Sequence, residues 1–192
     1  TALPQEPLET GVVDFVVRGE GEEVLRQLYF ALRNGDDWRG IRGISYVGED
    51  GKIVNNPDGD LIQDLDAIPL FPYELFEHPK YDKGFLTGAR GCPYKCNYCS
   101  QRLMTGLSYR YHSASRVAEV LSILINKYHQ RKIVFYDDNF SVNRKRVYDL
   151  SDAIVAEGLH EKCEFSVQTR ADNLYEEIMP ALVRANFKSV GF

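Results

Sequence analysis

Hydrophobic and polar positions along the chain follow two periods, one for strands and one for helices. Residues 12–17 form a short β-branched apolar run broken only by Asp14, the pattern of a buried strand. After Gly19 and Gly21, the positions Val24, Leu25, Leu28 and Leu32 recur at helical spacing, and Asn34-Gly35 closes the element. GISYVGEDGKIVNN reads as two short strands turning at Asp50-Gly51, because Asp-Gly favours positive φ. Pro69, Pro72 and Pro79 then interrupt regular structure, and the stretch reads as an extended linker pinned by Leu70, Phe71 and Phe76.

Beyond residue 80 the pattern becomes regular. Residues 84–88 form a short strand. A helix is expected over 115–128, with Ser115 as its N-cap and Val117, Val120, Leu121, Leu124 and Tyr128 on one face. KIVFY (132–136) is a buried-type strand. A second helix over 143–157 turns Val147, Leu150 and Ile154 inward and places Gly158 at C′. CEFSVQ (163–168) is the third strand. A weaker helical stretch restarts at Pro180 and ends near Asn186, which tolerates the left-handed conformation, and a fourth strand begins at 188. Strands alternating with helices define an α/β class with βαβ units and a parallel sheet. The main boundary is expected near Lys80.

Composition narrows the function classes. Charged residues make up 27% and hydrophobic ones 44%, the balance of an ordinary globular protein. With 28 acidic against 23 basic side chains the net charge is −5, which offers no bulk positive field for nucleic acid. The apolar runs VVDFVV and VLSILI are far too short for a membrane span, and no signal peptide opens the chain, so a cytoplasmic setting is expected. Thr1 at the start, and a strand that stops as it begins at the end, read as a piece of a larger protein. The RGEGEE segment lacks both common phosphate-loop patterns and is a weak nucleotide signal.

Three of the four cysteines fall within eight residues, as Cys92-x-x-x-Cys96-x-x-Cys99 on a loop directly after the first strand of the parallel sheet. Three thiolates can hold an iron–sulfur cluster that normally takes four, leaving one iron for a substrate or cofactor. A structural zinc site stands as the alternative; it needs a fourth ligand, and His78 and His112 are both over a dozen residues from the loop. Cys163, in a buried strand, reads as an inert core residue. Asp137, Asp138 and Asn139 follow the second strand, where a parallel sheet exposes its ligand-binding ends. One of the three capping the next helix is the other reading. Alternation puts Ser166, Gln168 and Arg170 on the face opposite Phe165 and Val167.

CxxxCxxC with Tyr98 at the penultimate position resembles the signature of radical S-adenosylmethionine (SAM) enzymes. The resemblance is most specific over 88–100, and it extends over almost the whole chain. It implies the N-terminal half of a partial TIM barrel built from parallel βα units over 81–192. Before it, 1–37 would be the end of a Rossmann-like cobalamin-binding domain, and 38–80 a hairpin and proline-rich linker. It further implies a [4Fe-4S] cluster on Cys92, Cys96 and Cys99, with SAM chelating the open iron and cleaved reductively. Tyr98, Asp137, Asp138, Gln168 and Arg170 would be cofactor-binding, Arg170 by pairing with the SAM carboxylate or, alternatively, bonded to a nearby Asp. The GGE sequence common at the second strand end is absent, and DDNF looks like the cobalamin-associated and methylthiotransferase branches. The cobalt-ligating D-x-H-x-x-G is absent too, so cobalamin is expected only in a full-length parent. The expected reactions are methyl transfer, sulfur insertion or radical cyclisation on an unknown small molecule, with a reductant such as flavodoxin or ferredoxin as partner. A non-catalytic zinc or iron–sulfur module is the competing class.

Overall fold

The computed structural model describes residues 3–76 and 80–192, so Pro79 and His78 lie outside the described residues. The chain divides into two compact units: the part up to Gln63 together with Tyr94–Leu107, and Asp64–Pro93 together with Ser108–Phe192.

The first unit contains helix α1 (Gln5–Glu9), strand β1 (Phe15–Val17), helix α2 (Gly21–Asn34), strands β2 (Ile44–Val47) and β3 (Ile53–Asn55), and the short helix α3 (Gln101–Thr105). The three strands make one antiparallel sheet in the order β1-β2-β3. The β2–β3 hairpin turns at Gly51, whose φ of +76° suits glycine. Val24 and Leu28 of α2 pack with Ile44 and Tyr46, supported by Phe15, Val17, Trp38, Ile41 and Val54. Two expectations are revised. Val12 lies outside β1 and is 84% exposed, and Leu25 and Leu32 are exposed on α2. The helical repeat in α2 comprises two stripes about 100° apart, and the small sheet covers one of them.

The second unit holds strands β4 (Phe85–Leu86), β5 (Ala89–Arg90) and β6 (Arg110–Tyr111), helix α4 (Ala114–Ser122), strand β7 (Lys132–Phe135), helix α5 (Arg144–Ala156), strand β8 (Glu164–Gln168), helix α6 (Met179–Arg184) and strand β9 (Phe187–Gly191). β4-β7-β8-β9 is a parallel sheet in sequence order, and β5-β6 is a small antiparallel pair. The expected α/β architecture with a parallel sheet is therefore present. Ile133, Phe135, Phe165, Val167 and Phe187 project from one sheet face into a core shared with Val117, Leu121, Val147, Leu150, Ile154 and Leu182 of the helices. Val134, Ser166 and Ser189 are aligned on the other face, where the Ser189 hydroxyl donates to Ser166 at 2.7 Å.

Boundaries differ in detail. Ser113, not Ser115, caps α4, because its hydroxyl reaches the Arg116 amide at 3.1 Å. The helix ends in a π-turn over Ile123–Lys127. Asn143 caps α5 and Gly158 follows it with φ +63°, as the pattern expected. The linker is held by Leu65, which is buried, while Phe71 and Phe76 stack on one another with substantial exposure. Asp66 binds His112 and the Ser113 amide, and Arg116 donates to the Ile68 carbonyl. These contacts tie the linker into the second unit, so the division falls between Gln63 and Asp64 rather than near Lys80.

Candidate functional site

The C-terminal ends of the parallel strands collect the polar residues of the second unit. β4 of the parallel sheet leads through Gly88 into β5, which pairs antiparallel with β6, and the cysteine loop leaves from β5 at Gly91-Cys92 rather than directly from the single strand expected over 84–88. Cys92 belongs to the second unit, and Cys96 and Cys99 to the first. Within the loop the Cys99 amide donates to the Cys96 carbonyl at 3.2 Å, which starts the turn before α3. Cys92 and Cys96 are half-buried and Cys99 is exposed; all are free thiols. Tyr98 is 92% exposed. Among the described residues, no three His, Cys, Asp or Glu side chains are gathered around one point that could hold a metal ion. The donor set itself fits a cluster: three accessible thiols on one short loop, none in a disulfide, with Cys163 buried elsewhere. Burial pushes the Cys163 thiol up to about 11, in keeping with an inert core position.

The aspartate pair is used by the protein itself. Asp137 is fully buried; its Oδ1 accepts from the Gly88 amide at 2.6 Å and the Ala89 amide at 3.0 Å. Its Oδ2 accepts from Arg146 Nη2 at 2.7 Å, in an ion pair whose side chains are 0% and 3% exposed. Arg146 Nη1 donates to the Phe140 carbonyl and to the Tyr109 hydroxyl. Asp138, at the surface, accepts from the Gly91 amide at 3.0 Å. Gly88 has no room for a side chain, since a Cβ there would sit 2.6 Å from Arg146 Nη2, which is held by its ion pair. Burial drives the Tyr109 phenol up to about 12, against the pull of Arg146.

Asn139 knits the ends of β7 and β8 together. Its amide donates to Asn173 Oδ1 at 2.7 Å and its carbonyl accepts from the Thr169 hydroxyl at 2.6 Å. The Ser141 hydroxyl donates to the Asn173 carbonyl. Gln168 is exposed at the end of β8, next to this buried network. Arg170 forms a two-pronged contact with Asp172, Nε to Oδ1 at 2.9 Å and Nη2 to Oδ2 at 2.6 Å. That is the local-partner arrangement weighed against a ligand carboxylate.

Arg146, Ser141, Thr169 and Asn173 were not singled out from the sequence. One signal for Arg146 was present. Arg144, Lys145 and Arg146 occupy the first turn of α5, where the helix dipole disfavours cations. Each has an acidic partner: Glu177, Asp149 and Asp137.

The Radical SAM superfamily model matches residues 86–192, more than half of the chain. The chain belongs to the radical SAM superfamily. An uncharacterised methyltransferase of Pyrococcus horikoshii is 39% identical over 189 residues, covering 96% of this chain and 40% of the relative. The anaerobic magnesium-protoporphyrin IX monomethyl ester cyclase of Rubrivivax gelatinosus is 27% identical over 95% of this chain and 34% of its own length. The chain thus spans well under half of these relatives. In fold it is similar to the radical SAM methyltransferase TsrM of Kitasatospora setae, solved with cobalamin and a [4Fe-4S] cluster, with TM-score 0.81, 19% identity, and coverage of 98% of this chain and 39% of that one. It is likewise similar to the cobalamin-dependent radical enzyme OxsB, with TM-score 0.80, 21% identity, and coverage of 98% and 29%. This superfamily membership makes the protein one of enzymatic type, and no helix among the described residues is long and apolar enough to cross a membrane.

Proposed function

We propose that the chain carries the cluster-binding part of a cobalamin-associated radical SAM enzyme. The observation that carries this reading is the Cys92-x-x-x-Cys96-x-x-Cys99 loop, which follows β4 of the parallel sheet by way of β5, inside the span matched by the family. Cys92, Cys96 and Cys99 would hold a [4Fe-4S] cluster through their thiolates and leave the fourth iron for SAM. A cluster held by Cys92, Cys96 and Cys99 would supply the electron for reductive cleavage of SAM to methionine and a 5′-deoxyadenosyl radical.

The rest of the site binds and shields. Gln168 stands at the end of β8, in place to accept from or donate to polar groups of SAM. Arg170 offers its fork to the SAM carboxylate by exchanging Asp172 for it, a swap between two carboxylates at the partly exposed strand end. Tyr98, exposed beside Cys99, supplies an aromatic face at the rim. The face of the parallel sheet bearing Val134, Ser166 and Ser189 would line the interior of a partial barrel that further strands complete. Residues 1–37 would be the end of a cobalamin-binding domain, with the corrinoid itself bound in the full-length parent. Relatives named as a methyltransferase and a cyclase favour methyl transfer or radical ring closure over sulfur insertion in that parent. Flavodoxin or ferredoxin is the proposed electron donor.

The test is iron uptake by cysteine variants under anaerobic reconstitution. About four irons per chain are expected for the wild type and for Cys163→Ala, with Cys92→Ala, Cys96→Ala and Cys99→Ala each losing most of them. Bound zinc in place of iron, or uptake indifferent to the three loop cysteines, would contradict the reading.

A further inference from the structure

The Asp137-Asp138 pair sends three hydrogen bonds' worth of acceptor to one short piece of backbone. Gly88 and Ala89 donate to Asp137, and Gly91 donates to Asp138. Gly91 adjoins Cys92 in the chain, so this piece is the stem from which the cysteine loop departs. Charged acceptors of backbone amides are among the stronger hydrogen bonds, and that on Asp137 is sealed from water by Arg146. Gly91 takes φ +82°, a conformation that side chains resist, and the stem turns there as it enters the loop. Gly88 leaves no space between the strand and the ion pair.

We propose that Asp137 and Asp138 are positioning residues: they bracket the 88–91 backbone and thereby set where the first cluster ligand, Cys92, is presented. Arg146 holds Asp137 in place for that task. The proposal rests on the cluster reading of the loop. It assigns the two carboxylates to the protein's own amides instead of to direct contact with SAM.

Asp138→Ala is the informative variant, because Asp138 is at the surface and its removal leaves the buried pair intact. Amide hydrogen exchange at Gly88, Ala89 and Gly91 is measured on the 192-residue chain without cluster, alongside its melting temperature. Iron retention and the SAM-induced change in the reduced-cluster spectrum are then measured after reconstitution. The expected result for Asp138→Ala is unchanged melting, roughly tenfold faster exchange at Gly91, and several-fold poorer iron retention. Asp138→Asn, which keeps an acceptor, restores both. Unchanged exchange at Gly91 with an altered SAM response would overturn the proposal, showing a contact with the ligand instead. Faster exchange with wild-type iron retention would overturn it too, since the stem would then not govern the ligand. Failure of the wild type to take up any cluster sinks the cluster reading, while the exchange measurement still decides whether the bracket exists.

Discussion

At the residue scale, four cysteines divide into three that are reachable and one that is not. Cys163 is 2% exposed and its thiol is pushed up to about 11 by burial, so at pH 8 it should react with iodoacetamide far more slowly than Cys99, which is exposed. Mass spectrometry of the partly alkylated, metal-free chain checks the order; equal labelling of Cys163 would mean its strand is not packed as described. Arg146 is the other decisive residue. Removing its charge strands a buried carboxylate, and Arg146→Ala should cost about 3–5 kcal/mol by chemical denaturation. The cysteines were legible because their pattern is local in sequence. Arg146 was not, because its partner lies nine positions away, across a loop whose course only the fold reveals. Its one local trace, a cation in the first turn of a helix, is shared by Arg144 and Lys145, which pair at the surface.

At the element scale β7, β8 and α5 follow from periodicity, since each buries its regularly spaced apolar residues against its neighbours. Phe135 meets the rings of Phe140, Phe165 and Phe187, so Phe135→Ala should lose about 3–5 kcal/mol, measurable as a shift in the denaturation midpoint. Asn143→Ala, which removes the cap from the Arg146 amide, should lose about 1 kcal/mol by the same measurement. Element ends were less legible. Ser113 and Ser115 carry the same capping chemistry, and backbone geometry chose between them. The π-turn at Ile123–Lys127 leaves no mark in an apolar pattern that reads equally well as α-helix. The stripes of α2 were indistinguishable by hydrophobicity, and only the sheet's single covering face separated Val24 and Leu28 from Leu25 and Leu32.

At the scale of the whole molecule, stability and function draw on different groups. Cys163 and Tyr109 are both held in their neutral forms by burial, so the stability they contribute is complete below their unfolded values of 9.0 and 10.0. It is lost as pH climbs through about 11 and about 12. The denaturation midpoint should therefore fall steadily above pH 9, and a flat profile up to pH 12 would contradict their burial. The family was legible from one loop in its strand context, whereas the division of the chain at Gln63 was not, because it depends on Leu65 and Asp66 docking into the second unit. The central claim is that the loop carries a cluster with an iron open to SAM. Electron paramagnetic resonance of the anaerobically reconstituted, reduced chain, recorded with and without SAM, tests it most directly. A [4Fe-4S] signal whose g-values shift on adding SAM is the predicted result, and a signal that SAM leaves unchanged would contradict it.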